Sequence, residues 1–233
     1  MAARLARLVR LARLHGKSRA ACRLIRRAAD HRCCRRWLGV TATECFRVAV
    51  SDLARDRPIP RGYVVRRASE DDLAALGPFF GDPQRVRRRL DRGDVCVVTL
   101  VKGKVCAGVW LAVGPGIFEE HWSVLLSVAQ FPNGVCWSFD GKGTRLGAWG
   151  SLMARLPRHL EELGVSEVYT LIDYDNRESL DAHRSLGYRR VGLIGCLRFF
   201  GLWLRIYKTP GARWRRLPGR IGEVRFGGRD VAP

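Results

Sequence analysis

The sequence predicts a mixed α/β fold of the α+β kind, with a mostly antiparallel central sheet flanked by helices. Three observations predict it. Between residues 63 and 208, apolar runs of strand length alternate with segments of helical period. Two of those runs are split only by Lys102-Gly103-Lys104, a hairpin signal. The 233 residues are 47% hydrophobic and 27% charged, which suits one globular domain with appendages and not a membrane-spanning chain.

The elements follow in order. Trp37 to Leu53 holds Leu38, Val40, Phe46, Val48 and Val50 and is expected to pack on the main domain. Arg57-Pro-Ile-Pro-Arg61 is an extended linker, because two prolines forbid a helix. Tyr63–Arg67 reads as a strand, and Ser69-Glu70-Asp71-Asp72 opens a helix with a cap and acids in its first turn. Pro83–Asp91 is a second, Arg-rich helix. Val95–Val101 and Val105–Ala112 form the hairpin. Trp122–Ala129 and Val135–Asp140 flank Phe131-Pro-Asn-Gly134 as a second hairpin or an irregular strand. Gly150–Leu163 has apolar residues at 152, 153, 156, 160 and 163, and Gly164 closes it; Pro157 is expected to kink or split this helix. Glu167–Ile172 is a buried strand, a helix follows from Asn176, and Tyr188–Phe200 with Leu202–Lys208 make a closing hairpin. The expected organisation is a basic, partly helical extension over 1–57, a domain over 58–208, and an irregular Gly/Pro/Arg-rich tail over 209–233.

The net charge is +20, and it is concentrated. Residues 1–62 hold sixteen Lys and Arg against four acids, a local charge of +12. Leu5, Leu8, Leu11 and Leu14 accompany them on a broad, blurred amphipathic face. Four readings compete: a helix on an anionic membrane surface, a nucleic-acid or partner contact, an organellar presequence, and a solvated extension. The eight cysteines (22, 33, 34, 45, 96, 106, 136, 196) form no C-x-x-C and no zinc-spaced cluster. They read as reduced thiols of a cytoplasmic protein, peripheral to the inner membrane surface if the arm binds lipid, with no metal implied. Nothing in the sequence sets the oligomeric state.

The stretch Asn176 to Tyr188, N-R-E-S-L-D-A-H-R-S-L-G-Y, places Asn176, Ser179 and His183 on one helical stripe before a Leu-Gly stop. Upstream, Arg145-Leu146-Gly147-Ala148-Trp149-Gly150-Ser151 is a Gly-bearing turn into a long helix, where unpaired N–H groups favour a diphosphate. Together, in this order and spacing, the two segments resemble the pyrophosphate loop and the N-x-x-S/A … Y/H-x-x-L-G-F/Y segment of the GNAT superfamily of N-acetyltransferases. The resemblance covers about Tyr63 to Lys208. Two residues depart from the family pattern: Ala148 stands where a Gly is usual, and His183 where Tyr is frequent. If position 148 required a positive φ, Ala would cost roughly 1 kcal/mol or more.

The resemblance implies an acyl-CoA N-acyltransferase-like fold in which two parallel strands, Val135–Asp140 and Glu167–Ile172, splay around the pantetheine arm. It implies a cosubstrate, acetyl-CoA or another acyl-CoA, held by Arg145 to Ser151 with Asn176 and Ser179. It also implies a small-molecule amine acceptor that attacks directly through a tetrahedral intermediate. Freeing an alkylamine of pKa about 10.4 at neutral pH costs about 4.6 kcal/mol, so a carboxylate near the acceptor is useful. Asp140, Glu119 and Glu120 are the candidates by position, each competing with a plain surface role. His183 is the candidate donor of a proton to the departing thiolate. Trp110, Trp122, Trp137 and Trp149 read as core; Trp122 and Phe118 could line an acceptor pocket, and Arg190 and Arg198 could bind an anionic acceptor. The rival class is a non-catalytic module of the same fold that binds membrane, nucleic acid or a protein partner through residues 1–57.

Overall fold

The structure is a computed structural model that describes residues 38–53, 58–119, 124–128, 134–199, 202–217 and 222–226. Most of the basic arm, from Met1 to Trp37, lies outside the described residues, as do Glu120 and Trp122. In chain order the elements are β1 (Leu38–Ala49), β2 (Tyr63–Arg67), α1 (Leu73–Phe80), α2 (Pro83–Asp91), β3 (Val95–Val101), β4 (Lys104–Val113), β5 (Gly116–Glu119) and β6 (Val124–Val128). Then come β7 (Gly134–Gly143), α3 (Ala148–Glu162), β8 (Val165–Asp173), α4 (Arg177–Ser185), β9 (Arg189–Phe199), β10 (Leu202–Lys208), β11 (Arg215–Leu217) and β12 (Gly222–Phe226). The chain divides into two compact units: residues 47–117 with 130–170, and the remainder. Strands β1 and β8 run through both.

In the first unit the strand order is β2-β3-β4-β7-β8. All neighbours are antiparallel except β7 and β8, which are parallel. Strand β3 is buried along nearly its whole length because helices cover both faces. Cys96, Val98 and Leu100 pack with Leu76, Phe80 and Val86 of α1 and α2. The alternate residues face α3, where the Thr99 hydroxyl donates to the Ala148 carbonyl at 3.1 Å. The β3–β4 turn is the two-residue hairpin the sequence predicts. Both central residues have positive φ, Lys102 at 50° and Gly103 at 73°, as a type I′ turn requires.

The helix starts follow local chemistry. Before α1, the Ser69 backbone N–H and hydroxyl both donate to the Asp72 carboxylate. Arg66 grips the same carboxylate through two nitrogens, at 2.6 and 2.8 Å, and its hydrogen bonds hold Asp72 down at about 2. Asp82 caps α2 by accepting from the Arg85 N–H at 3.0 Å, and Pro83 fills the first helical position. Helix α3 buries Leu152, Leu156 and Leu160 on its period of 3.6, each worth roughly 2 kcal/mol of burial. It runs unbroken through Pro157, so the expected split does not occur.

In the second unit the order is β1-β9-β10-β11, with β9–β10 and β10–β11 antiparallel. Strand β6 pairs in parallel with β12, from Gly222↔Val124 to Phe226↔Val128. Two expectations are therefore corrected. The second hairpin does not form, because β6 pairs with β12 while β7 pairs with β4 and β8. The segment after Pro210, expected to be irregular, contributes β11 and β12. Their apolar positions Leu217, Val224 and Phe226 are buried, and Gly192 of β9 leaves the room the Phe226 ring occupies, since a Cβ there would stand 2.9 Å from it. Strand β1 was legible only as an apolar stretch.

Candidate active site

Strands β7 and β8 are joined from Gly134↔Val165 to Ser138↔Thr170, and there the pairing ends although both strands continue. At the same point β7 bulges against β4. Gly108 faces Lys142 and Trp110 faces Phe139, so Val109 alone stands opposite Asp140 and Gly141. Asp140 has a φ of 48°, the backbone signature of that extra residue. Past its last pair with β8, β7 has strand-edge backbone groups that an extended chain can pair with.

Beyond the bulge the loop is built around Trp149. A Cβ on Gly141 would meet the Trp149 ring at 2.6 Å, and one on Gly143 would meet its Cβ at 3.3 Å. Glycine at both positions therefore seats the first turn of α3 over the end of β7. Gly147 is the N-cap of α3, with a φ of 79° and no side chain to cap with. The Ser151 N–H makes a backbone bond to the Gly147 carbonyl at 2.9 Å, and the Ala148 N–H bonds to Arg145. The N–H groups of Trp149 and Gly150 fall in the first turn, ahead of the helical ladder. A Cβ on Gly150 would meet nothing within 4 Å. The loop is steadied from below: the Tyr63 hydroxyl donates to the Leu146 carbonyl at 2.9 Å, and the Arg145 guanidinium sits 5.9 Å from the Tyr63 ring centroid.

Two expectations about the loop change. Ala148 carries no strain, because the positive φ falls on Gly147 and Ala148 begins the helix, fully buried. Ser151 is buried and its hydroxyl donates to the Gly147 carbonyl at 2.8 Å, so it braces the turn. Leu146 is 96% exposed.

In the second unit, Asn176 caps α4: its Oδ1 accepts from the Ser179 N–H at 3.1 Å. His183 Nδ1 lies 2.7 Å from the Ser179 carbonyl and 3.4 Å from its hydroxyl, and the Tyr188 ring stands edge-on with centroids 5.0 Å apart. A carbonyl can only accept, so Nδ1 carries the proton and the neutral ring has its lone pair on Nε2. Burial pushes His183 below the usual histidine range, and the bond to Ser179 only partly offsets it. The imidazole is thus biased toward neutrality near pH 7. The sequence expectation for His183 is a proton donor; the form favoured here is the neutral ring with its lone pair on Nε2.

The carboxylates are placed less favourably. Asp140 Oδ2 accepts from Arg89 at 2.6 Å and lies 3.6 Å from Arg85, so it is held in ion pairs. Glu119 ends β5, half-buried, and its charge acts on the Cys196 thiol, which burial first of all raises to about 11. Sequence reading missed Glu44, which is fully buried on β1 and carries Arg184 of α4 at 3.2 Å and Arg190 at 3.9 Å. Its one signal was an acid inside an apolar run. Trp110 and Trp137 are core, as expected. Burial pushes Cys96 and Cys136 up to about 12, which suits inert thiols. Among the described residues no helix is long and apolar enough to cross a membrane.

No family model matches the chain, and no curated protein does. Solved structures do. A Drosophila protein matches with a TM-score of 0.50 and 14% identity over 75% of this chain. A protein of unknown function from Staphylococcus epidermidis matches at 0.49 and 11% over 71%. The chain spans 57% and 64% of the length of these two proteins. A GCN5-related N-acetyltransferase from Kribbella flavida matches at 0.46 and 16%, over 76% of this chain and 61% of its own. At 14% identity the likeness to the Drosophila protein extends to the fold alone.

Proposed function

We propose that this chain, which resembles the GNAT N-acetyltransferases in its loop and Asn176 segment, moves an acyl group from acyl-CoA to a primary amine. The observation that carries the reading is the N-terminus of α3, which has no capping side chain at Gly147 and open space at Gly150, and follows directly after β7, whose pairing with β8 ends at Ser138. The N–H groups of the first turn and the helix dipole suit a diphosphate, and Gly150 leaves the space it would approach. The edge of β7 beyond Ser138 offers backbone groups to an amide-bearing arm. When bound, acyl-CoA supplies the activated thioester.

The residues of the chain divide the work. Gly147 and Gly150 shape the anion cradle, while Tyr63 and Ser151 hold it rigid. A backbone N–H of β7 past the last β8 pair is suited to polarise the thioester carbonyl. Asp140 serves through its grip on Arg89 and Arg85, which holds the bulge. The resemblance gives His183 as a proton donor to the departing thiolate; we read it instead as a proton acceptor, its Nε2 taking the proton the ammonium must lose, because the neutral ring is the favoured form.

Titration of the full chain with acetyl-CoA tests this. Saturable binding and a concentration-dependent rise in melting temperature are expected. Gly150→Val places its side chain in open space, so the fold should be retained while affinity falls at least ~100-fold, about 2.7 kcal/mol. Equal affinity in both proteins would sink the cradle, and no binding in either would leave a non-catalytic module of the same fold.

A further inference from the structure

The bulge holds more positive charge and more hydrogen-bond donors than its own contacts use. Arg85 and Arg89, one helical turn apart on α2, both reach Asp140 Oδ2. Lys142 donates to the Phe79 carbonyl at 2.6 Å and lies over the Phe79 ring. Two cations thus share one carboxylate, and a third, Lys142, follows two residues along the bulge. The Arg89 guanidinium stacks between aromatic rings, 4.7 Å from the Phe139 centroid and 5.3 Å from that of Trp110. Its side chain is only 12% exposed.

Within this cluster three buried nitrogens have no acceptor among the described residues: Arg89 Nη1, Arg85 Nε and Trp110 Nε1. Trp110 is 0% exposed. A buried donor without a partner forfeits its hydration with no return, roughly 1–3 kcal/mol for each group and more for a charged one. One such atom is commonplace; here one lies on the stacked guanidinium, one on the ring it stacks against and one on the arginine that shares its carboxylate, so the cluster has donors to spare for an acceptor. The arginines are charged, so the acceptor that fits best is an anion. The aromatic walls and the planar guanidinium favour a flat monoanion that takes paired N–H bonds.

We infer that Arg89, Arg85 and Trp110 form a carboxylate subsite, and that the amine acceptor of this protein carries a carboxylate. The inference rests on the acyl-transfer reading for its second half only. Its geometry is economical: the subsite adjoins the residue at which β7 leaves β8, so a carboxylate seated there orients the rest of the acceptor toward that opening. Asp140 then has a defined role. It neutralises one charge in the free protein and leaves the cluster with an excess for the ligand.

The test has two arms. In the first, the full chain labelled with 15N-tryptophan is titrated with N-acetylglycine and, separately, with N-acetylglycinamide, without any acyl-CoA. The Trp110 indole signal, assigned by its loss in Trp110→Phe, should move saturably with the carboxylate and not with the amide. Arg89→Gln should abolish the movement, and Arg85→Gln, at a more exposed position, should weaken it if the first variant does not fold. A Trp110 signal that stays put, or moves equally with both probes, overturns the subsite. In the second arm, thiol release from acetyl-CoA is followed with glycine and glycinamide as acceptors. KM should be at least ~10-fold lower for the carboxylate, and Trp110→Phe or Arg85→Gln should erase that preference by raising KM for glycine toward that for glycinamide. Binding in the first arm with no turnover of any acceptor in the second would retain the subsite and remove the transferase reading; turnover without carboxylate preference would do the reverse.

Discussion

The N-termini of α3 and α4 pose the same physical problem and solve it oppositely. Each must satisfy backbone N–H groups that a helix cannot pair internally. Helix α4 does it with its own side chain, Asn176 Oδ1 on the Ser179 N–H. Helix α3 begins at a glycine in the left-handed region, with no side chain available, and leaves its first turn open. Their anchoring differs as well. Along α3, Leu152, Leu156 and Leu160 are fully buried, whereas in α4 only Leu180 is buried. A firmly seated helix with an open end can hold an anion without moving. A lightly seated helix with a closed end is a carrier of side chains, here His183.

The largest effects should come from the seating. Leu156→Ala should cost about 3 kcal/mol of global stability in chemical denaturation, from lost burial and the cavity it leaves. Leu180→Ala removes the one fully buried side chain of α4, and hydrogen exchange should show α4 opening before the rest of the chain. If the two variants lose protection uniformly, the contrast in anchoring is wrong.

Next in size is His183. Its replacement by Ala should lower turnover about 10²-fold and leave acetyl-CoA affinity unchanged, since it would act on a proton in the transition state. A change within twofold would reduce it to a packing residue. Its titration also gives a sign. The folded state binds the proton less readily than the unfolded chain, so stability is lost as pH falls below about 6.5 toward the depressed value. His159, which burial also lowers, adds to the same slope. His183→Gln should flatten that part of the stability–pH curve, and an unchanged slope would assign it to His159 alone.

The smallest effect sharpens the comparison of the two caps. Asn176→Ala should cost about 1 kcal/mol, the usual worth of a side-chain cap, while Gly147→Ala should cost a similar amount for a different reason, its φ of 79°. Only the second should also weaken acetyl-CoA binding. Equal loss of affinity in both would mean that the ends of α3 and α4 are not chemically distinct.

Much of this was legible in the chain itself. The period of the α3 leucines, the Lys102-Gly103 turn, the cap before α1 and the Asn176 stripe are local facts, because caps, turns and amphipathic faces depend on residues a few positions apart. Other features were not. Strands β11 and β12 looked like an irregular tail, since a three-residue and a five-residue segment become strands only when a partner strand supplies the hydrogen bonds. Ala148 looked like a strained departure until the fold put the positive φ one residue earlier, on Gly147. Asp140 looked like a base and is an ion-pair partner, because Arg89 is brought to it from 51 residues away. The sequence alone determined which segments are helical, where they cap, and the class of fold. Only the tertiary structure decided which donors are left without acceptors and which acids are neutralised, because those depend on groups distant in the chain that meet only after folding.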